Sequence, residues 1–185
     1  EDFVPPEYRA LAFSDMEIPL RVDGVDTGET MWSPKLEARI LQELALKLHE
    51  NVLEIGTGSG YFAALLAHKA RQVVSVEIDP RLQAFGAGNL ARSGVHNVRL
   101  ESGDGSRGWT GRAPYDVIVA TGSLPVVPAA MRSQLKIGGR LAAGPAGRGG
   151  KRRGRHRRPA RGTSGARARG PAEPQRPRRR RKGVR

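Results

Sequence analysis

The stretch from Asn51 to Asp79, NVLEIGTGSGYFAALLAHKARQVVSVEID, leaves this chain few folds to choose from. Val52, Leu53 and Ile55 form an apolar run that halts at Gly56-Thr57-Gly58-Ser59-Gly60, and good helix formers then run from Tyr61 to Lys69. That pattern is a strand, a tight turn and a helix. A second apolar run, Val73 to Val76, ends on Glu77. The unit is therefore strand-helix-strand, with an acid near the tip of each strand, Glu54 and Glu77.

Glycines at alternate positions let the backbone turn sharply and let a ligand approach it closely, while the helix behind them presents unpaired N–H groups and a positive dipole end. Dinucleotide-binding turns want a small residue at the third fingerprint position for helix-strand packing. This chain has Tyr61 there. Glu54, two residues ahead of Gly56, would repel a pyrophosphate and attract an ammonium group. Both features favour a nucleoside cofactor that carries an amino acid, S-adenosylmethionine. Glu77, about 20 residues past the turn, suits its ribose hydroxyls. The competing reading is an ordinary strand-helix connection whose glycines serve the turn alone.

Around this unit the pattern alternates. Phe3 to Phe13 suits a short helical turn packed on the domain, Ile18 to Leu20 an extended segment, and Gly24 to Thr27 a turn. Ser33 and Pro34 suit the start of a helix, in which Leu36, Ile40, Leu41, Leu44 and Leu48 form one apolar stripe. Asp79-Pro80 starts another helix, weakened by Gly86 and Gly88. Val98 to Leu100 reads as a third strand ending near Asp104-Gly105, and Val117 to Ala120 as a fourth that exits at Thr121. A helix over Val126 to Leu135, a turn at Gly138-Gly139 and a fifth strand from Arg140 to Ala143 follow. Strands alternating with helices imply an α/β fold, a doubly wound, mostly parallel sheet, with ligands at the carboxyl ends of its strands. Asp104 falls where an adenine amino group would be bound, although Asp-Gly after a strand is often only a turn.

Charge divides the chain in two. Residues 1–147 carry 15 Lys and Arg against 17 Asp and Glu, whereas residues 148–185 carry 17 against 1. We therefore expect one domain over 1–147 and a disordered Arg/Gly/Pro-rich tail over 148–185, too poor in apolar residues to bury a core. There is no cysteine, which excludes disulfides and thiolate metal sites and suits a reducing compartment. His49, His68, His96 and His156 have no metal-ligand spacing, and no metal is expected. No apolar run approaches the roughly 20 residues of a membrane helix, so a soluble, cytoplasmic monomer without membrane contact is the expectation. The chain opens at Glu1 without a methionine, and an upstream segment is expected to be missing.

EDFVPPEYRALAFSDMEIPL, GETMWSP, VLEIGTGSGYFAALLA, VSVEI, NLARSGVHNVRLESGDGSRGW, PYDVIVATGSLPVVP and LKIGGRL, in this order, closely resemble the protein-L-isoaspartate O-methyltransferase family over about residues 1–143. The resemblance implies the S-adenosylmethionine-dependent methyltransferase fold and methylation of the free carboxylate of isoaspartyl residues in damaged proteins. It also implies that Glu54, Gly56, Thr57, Gly58, Ser59 and Gly60 hold the methionine part, Glu77 the ribose, and Asp104 and Gly105 the adenine. Thr121 would lie on the same rim, and Thr30 at the edge of the substrate pocket. Two departures stand out. Trp32 occupies the position where the family usually has its active-site serine, with Ser33 one place later. Past the fifth strand, where the family continues into two more strands, the chain turns to residues of GC-rich codons, which points to a reading-frame change near Ala143.

The carboxylate of isoaspartate, with a reference pKa of about 4, is ionised at neutral pH and needs no general base. Catalysis would rest on alignment and on stripping water from the acceptor oxygen. The alternative from another class is an inactive methyltransferase fragment whose basic tail binds nucleic acid and other polyanions without sequence preference.

Overall fold

The computed structural model describes residues 1–122, 124 and 126–144. The arginine-rich segment, with the disorder and polyanion binding expected of it, lies outside the described residues.

Five strands form one parallel sheet: β3 (Asn51–Ile55), β4 (Gln72–Glu77), β5 (Val98–Ser102), β6 (Tyr115–Ala120) and β7 (Leu135–Ala143), in the order β5-β4-β3-β6-β7. Helices α1 (Pro34–Leu44), α2 (Tyr61–Lys69), α3 (Pro80–Arg92) and α4 (Ala129–Arg132) connect and cover them. This is the doubly wound α/β arrangement that the alternating pattern predicts.

Residue alternation decides which core each strand feeds, since successive side chains leave a strand on opposite faces. Val52, Val73, Val117 and Val119 pack with Leu44 of α1 and with Phe62, Leu66 and Ala67 of α2. Their neighbours Leu53, Ile55, Val74, Val76, Ile118 and Ala120 pack on the other face with Met131 of α4. Because both faces are covered, β3, β4 and β6 read as nearly continuous apolar runs. The order reverses direction between β3 and β6, which opens a crevice beyond their carboxyl ends.

The amino-terminal end of the sheet is closed by charge. Arg140 on β7 donates to both carboxylate oxygens of Glu50, at 2.8 and 2.7 Å, across β6. Asp116 of β6 accepts from the backbone N–H of Asn51 at 2.8 Å and from Lys136 Nζ.

Four local expectations change. The extended segment at Ile18 to Leu20 is a strand, β1 (Ile18–Val22), but the turn is confined to Asp23-Gly24, and Val25 to Thr27 open a second strand, β2 (Val25–Met31), antiparallel to the first. Leu48 lies beyond the end of α1 and is exposed, because the helix stops at Ala45 in a left-handed conformation. The helix expected over Val126 to Leu135 shrinks to α4. Pro128 sits extended before its first turn, and the N–H of Tyr115 takes Gln134 O into the sheet. The fifth parallel strand starts at Leu135, so Gly138 and Gly139 lie inside it. The ladder jumps from Tyr115↔Leu135 to Val117↔Arg140, and Gly138, at φ 78°, lets the intervening residues bulge.

Candidate functional site

The turn between β3 and α2 is held by backbone bonds that only this strand order provides. Gly56 N donates to Val76 O of β4, and the N–H groups of Thr121 and Gly122, leaving β6, both donate to Ile55 O at 2.9 Å. Thr121 Oγ1 lies 2.8 Å from Ile55 O and 2.6 Å from Gly56 O. The Thr121 hydroxyl thus fastens two strand tips together. A Cβ on Gly56 would come within 2.6 Å of that oxygen and 2.8 Å of Gly122 N, at φ 104°. No other residue fits there.

The far side of the turn meets α3. A Cβ on Gly86 would come within 2.9 Å of Thr57 Cγ2 and 3.0 Å of Gly58 O. Asn89, one turn further and fully buried, donates to Ser59 O at 2.8 Å. Gly86 therefore does not weaken the helix at random. It is where the helix touches the turn.

Around these elements lies a cavity of about 940 Å³. Gly56, Thr57, Gly58 and Ser59 line it, as do Glu77, Asp104, Gly105, Thr121, Thr30 and Trp32. The structure thus brings together ten of the residues singled out from sequence. Glu54, Gly60 and Ser33 are not among the lining residues. Gly60 caps α2 and packs on Gly86, and Ser33 caps α1.

Glu77 is 5% exposed and accepts three backbone hydrogen bonds, from Gly58 at 2.9 Å and from Ile78 and Asp79 at 2.9 and 3.0 Å. Asp104 accepts from Ser106 N at 2.9 Å, and that hydrogen bond lowers its pKa. Gly105 packs on Ile55, which leaves no room for a side chain.

Glu54 lies beneath the turn, completely buried. Its register partner on β4 is Ser75, which donates to Glu54 Oε2 at 2.5 Å and lies 2.6 Å from Thr57 Oγ1. The other carboxylate oxygen has no hydrogen-bond partner among the described residues. Burial pushes this carboxyl up to about 8, opposed by the Ser75 hydroxyl and reinforced by Glu37 and Glu77.

Glu37 was not singled out from sequence. It sits in the first turn of α1, three and four residues before Ile40 and Leu41, on the apolar stripe itself. An acid on the buried stripe of an amphipathic helix was the available signal. It is 3% exposed, lines the cavity, has an unpartnered Oε2, and is raised by burial to about 8.

In all, Glu17, Glu29, Glu37, Glu77, Asp79 and Asp104 line the cavity, and among the described residues no Lys, Arg or His does. Burial raises Glu29, and Glu77 and Asp79 add to the effect. Such a wall repels phosphates and favours an organic cation. The apolar part of the lining, Ile55, Val76, Ile78 and Leu82, has room for a flat base. A ligand with a nucleoside, an ammonium and a second positive centre fits these groups, so the residues present suit S-adenosylmethionine.

Trp32 closes another side. Its ring stands edge-on to Phe62 with centroids 5.7 Å apart, and lies directly against Gly144 at the end of β7. Where a serine hydroxyl is usual, this cavity has an aromatic wall.

A family model described as Protein-L-isoaspartate(D-aspartate) O-methyltransferase matches residues 1–157. Protein-L-isoaspartate O-methyltransferase of Myxococcus xanthus (strain DK1622) is 44% identical over 149 residues, 80% of this chain and 68% of that one. Protein-L-isoaspartate O-methyltransferase 2 of Anaeromyxobacter sp. (strain Fw109-5) is 43% identical over 141 residues, covering 76% and 56%. A solved protein-L-isoaspartate O-methyltransferase superposes with a TM-score of 0.68 at 34% identity, covering 76% of this chain and 45% of that one. The chain spans 56% to 68% of the length of these two curated relatives.

Proposed function

The chain belongs to the protein-L-isoaspartate(D-aspartate) O-methyltransferase family, and from that premise we propose that it transfers a methyl group from S-adenosylmethionine to the free carboxylate of isoaspartyl residues in damaged proteins. One observation carries the reading: a cavity at the strand-order reversal, lined among the described residues by six acids and no Lys, Arg or His, beside a glycine turn fastened to Glu77.

When bound, the donor supplies an electrophilic methyl on a sulfonium. The chain supplies position. Gly56 to Ser59 offer a close backbone approach, Glu77 offers its remaining acceptor capacity to ribose hydroxyls, and Asp104 and Gly105 flank the base. Thr30, exposed on β2 and part of the cavity lining, suits the acceptor edge. The acceptor carboxylate is ionised at neutral pH, so no side chain has to remove a proton. Trp32 and Phe62 exclude water from the wall opposite, which favours attack by a stripped carboxylate oxygen. Ser33, which caps α1 away from the lining, has no part in this reading.

The test is tritiated methyl transfer to an isoaspartyl peptide, with the aspartyl peptide of the same sequence as control. Label on the first alone is the expected result. Equal label on both would reject the substrate assignment.

A further inference from the structure

The expectation from sequence gives the donor's ammonium group to Glu54. The geometry does not allow that contact, because Glu54 is fully buried beneath the turn, spends one oxygen on Ser75 and does not line the cavity. Glu37 has the place in the cavity lining that Glu54 lacks, and like Glu54 it is buried and keeps an oxygen without a hydrogen-bond partner among the described residues. Among the described residues, no Lys, Arg or His lines the cavity to pair with it. A buried carboxylate left in this state is costly unless a cation arrives or the group stays protonated.

We propose that Glu37, on α1, is the residue that receives the ammonium group of the methyl donor. This rests on the donor assigned above. A consequence follows from the groups that surround Glu37. Glu54 beneath the turn and Tyr61 on α2 sense its charge, and the cavity acids Glu17, Glu29, Glu77, Asp79 and Asp104 add negative potential of the same sign. Burial favours the protonated form of Glu37 when no cation lies beside it. An ammonium beside it reverses the preference, so the ligand enters as a proton leaves.

Calorimetry on the full chain separates this inference from the reading beneath it. S-adenosylhomocysteine carries the ammonium, and 5′-methylthioadenosine has the same nucleoside without it. Near neutral pH, in two buffers of different ionisation enthalpy, the wild type should bind both, with net proton release only for S-adenosylhomocysteine. Glu37→Gln should weaken S-adenosylhomocysteine by tenfold or more, abolish the proton release, and leave 5′-methylthioadenosine within about threefold. Gln keeps the shape and removes an uncompensated acid, and a thermal melt checks the fold. If Glu37→Gln binds S-adenosylhomocysteine as the wild type does, the inference fails and the donor assignment stands. If Glu54→Gln shows the loss instead, the role returns to Glu54. If the wild type binds neither nucleoside, the donor assignment itself falls.

Discussion

Glu77 accepts a hydrogen bond from the backbone N–H of Gly58 at 2.9 Å, so the acid at the end of β4 and the turn after β3 form one rigid piece. Its second oxygen takes the N–H groups of Ile78 and Asp79. Glu77→Ala strips three partly buried backbone donors of their acceptor. We expect a loss of about 1–3 kcal/mol in stability and a fall in nucleoside affinity larger than stability alone explains. Urea denaturation and calorimetry with S-adenosylhomocysteine check this; unchanged values in both would show the carboxylate to be dispensable.

Two glycines on one helix should respond in opposite ways. Replacing an exposed helical glycine by alanine usually stabilises by up to about 1 kcal/mol. Gly88→Ala should follow that rule, since the new methyl would meet only the flexible end of Arg92 at 3.3 Å. Gly86→Ala should destabilise, because its methyl would press on Gly58 O at 3.0 Å and Thr57 Cγ2 at 2.9 Å. Midpoints of thermal melts for the two variants settle the matter, and a gain at both positions would contradict the close approach of α3 to the turn.

Stability should fall as pH rises. Burial pushes Glu37 and Glu54 from an ordinary value of 4.5 to about 8, so the folded chain holds protons that the unfolded chain has shed. Their contribution is complete below about pH 4.5 and is lost as pH climbs towards 8. Glu50, Asp79, Asp104 and Asp116 are lowered and act with the opposite sign in acid, below that window. Urea midpoints should therefore decline between about pH 5 and about pH 8.5, and less steeply in Glu37→Gln. A flat or rising profile would mean these carboxyls are not held protonated.

Arg140 and Glu50 bind β7 to the start of β3. Glu50 is 4% exposed, so Arg140→Met leaves a buried acid with only Lys47 N as a partner. A loss of roughly 2–4 kcal/mol is expected, less than for a wholly buried pair because the Arg140 side chain is partly in solvent. Adding Glu50→Gln to that variant should recover part of it. A double-mutant cycle measures the coupling, and additive losses would exclude it.

Much of this was readable in the residues, for definite reasons. The strands of the parallel sheet are short apolar runs ending at turn signals, and the unit from Asn51 to Asp79 appears with the boundaries its pattern implied. Glu77, Asp104 and the glycines were visible because turns and strand tips mark their places. The hairpin was harder, since β2 is mostly exposed and offers no alternation of buried and exposed residues. Gly86 looked like a defect because propensity speaks only of the helix and not of what packs on it. Glu37 and Glu54 exchanged apparent importance for a related reason. Spacing places an acid near the turn, but only the fold decides which carboxylate faces the opening and which lies under the floor.

The hairpin of β1 and β2 gives the cavity two walls of unequal footing. Gly56 to Ser59 rest on β3, in the middle of a five-stranded ladder, while Thr27 to Met31 belong to a separate ribbon that has two strands among the described residues. Ribbons of that size have little stability alone. Under heat or proteolysis the hairpin side of the cavity should loosen first, leaving the floor on β3 in place after the opposite wall has come away.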